Sequence, residues 1–276
     1  FQIAFDPQGD SLAVAEDSSA TGTLEILDAA TGRVRSSTSL AAGQGFANFG
    51  IVIYAPDGRS LFVPYSRGDS FFLRRYDARR GTPLGKPVRV APQEVDMRAP
   101  LMTPDGRLVV PADSGVKALD ADTLRVIRRY PVSGGSVLSP DGSTLTIGTP
   151  DGGTDLLDLA SGRVRTLTNQ PLEPEAFSPD GRTLSISEDG GSVILWDVEK
   201  GVATETLEGH AGVTETHAFS PDGRTLYTAG NDGRVIVWDV AGDRRLGRPF
   251  PMVRGLEPGH DYYPPAFALS PDGRAV

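Results

Sequence analysis

Short apolar runs, each about the length of one strand, alternate along this chain with clusters of proline, aspartate and glycine. Val193-Ile194-Leu195-Trp196 and Val235-Ile236-Val237-Trp238 are rich in β-branched residues, which suit a pleated strand. Thr216-His217-Ala218-Phe219 and Thr225-Leu226-Tyr227-Thr228 read as two further strands, one on each side of Ser220-Pro221-Asp222-Gly223. That corner recurs as Ser139-Pro140-Asp141-Gly142, Ser178-Pro179-Asp180-Gly181 and Ser270-Pro271-Asp272-Gly273. Thr103-Pro104-Asp105-Gly106, Ala55-Pro56-Asp57-Gly58 and Asp6-Pro7-Gln8-Gly9 are variants of it. Proline presets φ for the second position of a type I turn, aspartate suits the third, and glycine takes the left-handed position from which the next strand pairs back. Each copy is therefore a hairpin corner.

The corner glycines, from Gly9 to Gly273, lie 44 residues apart on average, the period of a propeller blade. A second punctuation follows each of the first six corners: an apolar residue and then aspartate, as Leu27-Asp28, Tyr76-Asp77, Leu119-Asp120, Leu157-Asp158, Trp196-Asp197 and Trp238-Asp239. The corner glycine precedes this aspartate by 16 residues in three copies, by 19 in the first two and by 14 in the third. Insertions and a deletion between the second and third strands would account for the differences. Gly32, Gly81, Gly162 and Gly201 each stand four residues after the aspartate and mark another hairpin corner. Each unit thus reads as four antiparallel strands, a to d, with the a–b and c–d corners on one face. A four-stranded unit cannot bury both of its faces alone, so the expected fold is an all-β propeller of radially stacked blades. The approximate repeats are 1–45, 46–95, 96–133, 134–169, 170–208, 209–258 and an incomplete 259–276, six complete blades and the start of a seventh.

From Gly209-His210 to Trp238-Asp239 the chain resembles the WD40 repeat family. Gly-His opens the unit, Ala229-Gly230-Asn231-Asp232-Gly233 joins strands b and c, and Trp-Asp closes strand c. The resemblance implies a structural hydrogen-bond tetrad of His210, Thr228, Asp232 and Trp238. In the fifth unit Thr168 stands at the histidine position and Gly190 at the aspartate position, although Trp196-Asp197 is intact. Units one to four lack both the Gly-His and the tryptophan. Gly259-His260 precedes Ser270 as Gly209-His210 precedes Ser220, which marks the start of the seventh unit.

Composition removes several chemistries. Gly 33 and Pro 22 make up about a fifth of 276 residues, well above the roughly 12% that is usual, as frequent turns require. Without cysteine there is no disulfide framework, thiolate zinc site or cysteine nucleophile. A net charge of -9 argues against nucleic acid or an anionic membrane as partner, and no apolar run reaches membrane-spanning length. Only Lys86, Lys117 and Lys200 are lysine, a bias that suggests a high-GC bacterial source.

Candidate catalytic groups are few. His210 and His260 take structural positions, and His217 falls on strand a beside Phe219. Glu188-Asp189 and Glu173/Glu175 read as solvated charges in polar connections. Gly43-Gln44-Gly45-Phe46-Ala47-Asn48-Phe49-Gly50 lacks the Lys-Ser/Thr and helix of a phosphate loop, and reads as a long d–a connection. No calcium-loop spacing and no Gly-x-Ser-x-Gly elbow occurs. The expectation is therefore no catalytic residue, no metal and no cofactor. Leu84-Gly85-Lys86-Pro87-Val88 and Leu246-Gly247-Arg248-Pro249-Phe250 read as matching features of strand d.

What is left is surface. Phe46 and Phe49, Met97 and Arg98, and Asp261, Tyr262 and Tyr263 fall in d–a connections and form the candidate partner-binding face, since aromatics and arginine are enriched at interfaces. The resemblance implies a non-catalytic protein-interaction scaffold or sensor, cytoplasmic and part of a larger bacterial regulator with a covalently linked upstream domain. Two alternatives stay open: a lactonase-like or quinoprotein-like propeller enzyme, and an extracytoplasmic ligand-binding propeller.

Overall fold

The computed structural model describes residues 2–16, 22–40, 52–92, 100–112, 115–132, 137–188, 190–240, 242, 244–247 and 249–251. Among them every regular element is a β-strand. The strands form six antiparallel sheets, three in each of two compact halves, Phe1–Gly135 and Ser136–Val276.

In the first half, blade one comprises β1 (Gln2–Phe5), β2 (Ser11–Glu16), β3 (Thr23–Asp28) and β4 (Val34–Ser39). Blade two comprises β5 (Ile53–Tyr54), β6 (Ser60–Arg67), β7 (Ser70–Asp77) and β8 (Pro83–Pro92), and blade three β9 (Leu101–Met102), β10 (Arg107–Ala112), β11 (Gly115–Asp120) and β12 (Val126–Tyr130). In each blade the strands pair in chain order.

In the second half, blade four comprises β13 (Thr144–Gly148), β14 (Thr154–Asp158) and β15 (Val164–Thr168). Blade five comprises β16 (Glu173–Phe177), β17 (Thr183–Ser187), β18 (Val193–Asp197) and β19 (Val202–Leu207). Blade six comprises β20 (Thr214–Phe219), β21 (Thr225–Gly230), β22 (Arg234–Asp239) and a divided outer strand, β23 (Arg244–Arg245) and β24 (Phe250–Pro251), both paired with β22.

Strand alternation explains how the blades stack. Leu61 and Val63 on β6 join Leu24 and Ile26 of blade one in one apolar cluster, while Phe62 between them joins Leu108 and Leu119 of blade three in another. In the second half, Ile194 and Trp196 on β18 share a cluster with Leu156 of blade four, and Val193 and Leu195 share one with Leu226 and Trp238 of blade six. β6 and β18 are therefore apolar on both faces. Full burial of each such side chain favours folding by about 1.5–3 kcal/mol.

The corners take the geometry their residues dictate. Gly9, Gly58, Gly106, Gly142, Gly181 and Gly223 all have φ between 67° and 80°. Where serine opens the corner, it bonds forward: Ser220 Oγ donates to Asp222 at 2.6 Å and accepts from Thr225 N at 2.9 Å. The two corners of a blade are also tied together. In all six blades the residue after the strand-c aspartate donates its N–H to a carbonyl at the a–b corner, as Val240 N to Arg224 O at 2.9 Å and Ala121 N to Gly106 O at 3.1 Å.

Four sequence expectations are corrected. Blade four is three-stranded among the described residues, its first strand reduced to a single bridge between Leu138 and Leu145. The extra residues of blade two are not a loop insertion: they lengthen β6 and β7 to 8 residues each, closed at Gly68 with φ 54°. In blade three one missing residue comes from the a–b corner itself, because Arg107 pairs with Asp120 directly after Gly106, whereas blade five places Arg182 before the Thr183–Asp197 pair. Glu173 and Glu175 lie on β16, not in a polar connection. The start of a seventh blade, 259–276, lies outside the described residues.

Candidate functional site

The turn after β21 and the segment before β20 bring the four tetrad residues of blade six together. Trp238 Nε1 donates to Thr228 Oγ1 at 2.8 Å, and Thr228 Oγ1 stands 2.8 Å from His210 Nε2. His210 Nδ1 faces both oxygens of Asp232, at 3.1 and 3.2 Å. A carboxylate only accepts, so Nδ1 carries the proton, Nε2 accepts from the threonine hydroxyl, and the hydroxyl accepts from the indole. Asp232 also accepts the backbone N–H of Ala211 at 3.0 Å and of Arg234 at 3.1 Å, which fixes the turn.

Close packing accounts for the glycines of the motif. A Cβ on Gly209 would stand 2.9 Å from Cη2 of Trp238, and one on Gly230 would stand 2.8 Å from His210 Nδ1. Blade five shows what happens without the tetrad. The residue in register with Thr228 is Ile186, because Leu184 pairs with Trp196 as Leu226 pairs with Trp238. With isoleucine there, Trp196 Nε1 is buried without a hydrogen-bond partner.

A second network joins blades five and six. His217 on β20 places Nδ1 3.0 Å from Ser185 Oγ and Nε2 3.0 Å from Thr214 Oγ1, while Ser187 Oγ donates to Thr214 O at 2.7 Å. Ser185 Oγ also donates to Ala176 O at 3.2 Å, so it accepts from Nδ1. Burial, with a smaller contribution from nearby His210, pushes the His217 pKa down to about 3. A serine beside a histidine has the form of a nucleophile and its base. Here Ser185 is fully buried, so the pair offers a substrate no approach. Sequence reasoning missed this cage. The available signal was the alternation of Thr183, Ser185 and Ser187 along β17, which puts three hydroxyls on one face and Leu184 and Ile186 on the other.

Phe46, Phe49, Met97, Arg98, Asp261, Tyr262 and Tyr263 lie outside the described residues, as does His260. Among the described residues no three His, Cys, Asp or Glu side chains are grouped so as to hold a metal ion. A cleft of about 150 Å³ lies between the a–b corners of blades four and five, floored by Phe177 and Val198 and edged by Asp141 and Asp180. Both carboxylates are held below the usual range by hydrogen bonds, first from Ser139 and Ser178 respectively. The paired outer-strand features take the same form in blades two and six: Gly85 and Gly247 have φ of 72° and 78°, each in a bulge where the strand leaves its register.

Residues 201–239 match the family described as WD domain, G-beta repeat. The match runs from β19 through β22, so a sequence repeat begins with the outer strand of one blade and ends on the third strand of the next. No curated protein matches the sequence. Among solved structures 1575 chains match the fold. One of them, Kuenenia stuttgartiensis Hydrazine Synthase, is 22% identical with a TM-score of 0.65, over 87% of this chain and 76% of that one. Repeated corners, sheets stacked through both faces, a complete tetrad and the matched repeat agree: the chain is a WD40-repeat β-propeller.

Proposed function

We propose that this propeller is a non-catalytic protein-interaction scaffold or sensor, working in the cytoplasm as part of a larger bacterial signalling protein. The observation that carries the reading is the use made of its polar chemistry. Both described histidines, with the hydroxyls and the carboxylate around them, are consumed in buried bonds that hold blades five and six. Chemistry spent on the framework leaves function to the surface. A WD40-repeat propeller presents many connections from a stiff body, which suits docking of protein partners. The aromatic and arginine-bearing connections at Phe46 and Phe49, Met97 and Arg98, and Tyr262 and Tyr263 supply the contact residues of the principal face.

The test is reconstitution. A partner captured from the source cell is purified and titrated onto the propeller by calorimetry, and the titration is repeated with Phe46→Ser/Phe49→Ser and Tyr262→Ser/Tyr263→Ser. Saturable binding weakened at least about tenfold by either double variant, about 1.4 kcal/mol, supports the reading. A partner that binds all three proteins equally well refutes this face, and turnover of a small molecule by the purified propeller refutes the non-catalytic role.

A further inference from the structure

We propose that β12, the outer strand of blade three, is a docking strand for an acidic extended segment of a partner protein. The proposal begins with one position seen in three blades. Strand d bulges opposite the end of strand c in blades one, three and five. In blade one the bulged residue is Arg35, whose guanidinium bonds Asp28 at 2.6 Å. In blade five it is Thr204, whose hydroxyl bonds Leu195 O at 3.0 Å. Both tie the outer strand back to its own blade. In blade three the bulged residue is Ile127, which has no polar group to tie back and is 55% exposed beside Val126 at 42%.

Charge identifies the occupant. Arg125 and Arg129, both exposed, flank this apolar pair. Arg129 sits directly across from Lys117 on β11, a like-charge pairing that a sheet gains nothing from. The carboxylates of the same hairpin are already engaged, Asp120 with Thr123 and Asp122 with Arg75. On a chain of net charge -9, this edge therefore combines exposed β-branched side chains with local positive charge. The other described outer strands differ at this position: Arg35 ties β4 to Asp28, β8 bulges at Lys86 and Pro87, β15 pairs with β14 there without a bulge, Thr204 ties β19 to Leu195, and the outer strand of blade six is divided. A segment alternating Asp or Glu with Val, Ile or Leu would pair with the β12 backbone, cover Val126 and Ile127, and meet the arginines with its carboxylates.

The proposal rests on the scaffold reading in taking the partner to be a protein. It is tested with a fluorescein-labelled peptide of alternating aspartate and valine, titrated onto the full chain and followed by anisotropy. Saturable binding is expected, weakening as sodium chloride is raised. Ile127→Thr, which installs the residue found in blade five, and Arg129→Thr should each weaken it at least about tenfold without lowering the melting temperature. Absence of binding, equal binding by the two variants, or equal binding of a lysine–valine peptide overturns the proposal. So does binding of phosphatidylserine vesicles or duplex DNA, lost in Ile127→Thr, in place of the acidic peptide. If a reconstituted partner complex survives both variants unchanged, the docking strand fails while the scaffold reading stands.

Discussion

Ser185 Oγ on blade five lies 3.0 Å from Nδ1 of His217 on blade six, and the pair is sealed from solvent. A neutral imidazole caged by hydroxyls makes the seam between these blades sensitive to acid. Native His217 resists protonation down to about pH 3, whereas the unfolded chain takes up the proton near its ordinary 6.5. Its contribution to stability is complete above pH 6.5 and is lost as the pH falls towards 3, by up to about 1.4 kcal/mol per pH unit. The corner carboxylates Asp141, Asp180 and Asp222 have lowered pKa values, so their contribution begins to be lost only below about pH 5 and is common to the natural protein and a His217 variant. Urea midpoints between pH 6.5 and 4 should therefore fall in the natural protein and fall less in His217→Gln. Parallel slopes would sink the assignment.

The tetrad of blade six should behave as one unit. His210→Ala removes the acceptor of Thr228 and a donor to Asp232, and should destabilise by roughly 1–3 kcal/mol. Thr228→Val leaves the Trp238 indole and the His210 Nε2 unpaired and should cost a similar amount. The double variant should cost less than the sum of the two. Melting temperatures equal to the natural protein's would refute the network.

Blade five offers the converse experiment. Val normally outperforms Thr in a core because a hydroxyl must find a partner. At Ile186 the partner is waiting, since Trp196 Nε1 is buried and unbonded in register with it. Ile186→Thr should therefore equal Ile186→Val in stability or exceed it by about 1 kcal/mol. A clear advantage for valine in denaturant unfolding would count against the comparison of the two blades.

At the c–d corner of blade three, Leu124 has φ 54°, where four other blades place glycine. The left-handed backbone costs a non-glycine residue about 1–2 kcal/mol, yet this side chain is buried in the cluster shared by blades two and three. Leu124→Ala keeps the strain and loses the packing, whereas Leu124→Gly loses both. Both variants should be destabilised, glycine less than alanine by about 1 kcal/mol. The reverse order in thermal unfolding would show that the backbone is not strained there.

Local chemistry explains how much of this was legible in the sequence. Proline, aspartate and glycine fix a corner within four residues, so the blade period and both corner types could be read directly. The tetrad was legible because Gly-His, Asp-Gly and Trp-Asp each leave a mark in sequence. The cage around His217 left none: Ser185, Ser187 and Thr214 look like ordinary strand residues until a neighbouring blade brings them together. Strand length was equally hidden, because nothing in Ser60–Asp77 distinguishes a longer hairpin from a loop except the glycine at 68. The displaced corner of blade three escaped for a related reason, since a count of residues from glycine to aspartate does not say where the missing ones were removed.

The bond that ties the two corners within each blade has a practical consequence for remodelling the molecule. At that end the chain holds both hairpins to nearly fixed length, and blade three keeps the bond even with one residue fewer. At the other end, between strands b and c, the connection varies from the tight Arg67-Gly68-Asp69-Ser70 turn to the gap between Glu16 and Thr23. Foreign epitopes or reporter domains therefore belong at the b–c turns outside blade six, whose own turn holds Asp232 of the tetrad. The same cargo at a Pro-Asp-Gly corner would open a blade at its clasp.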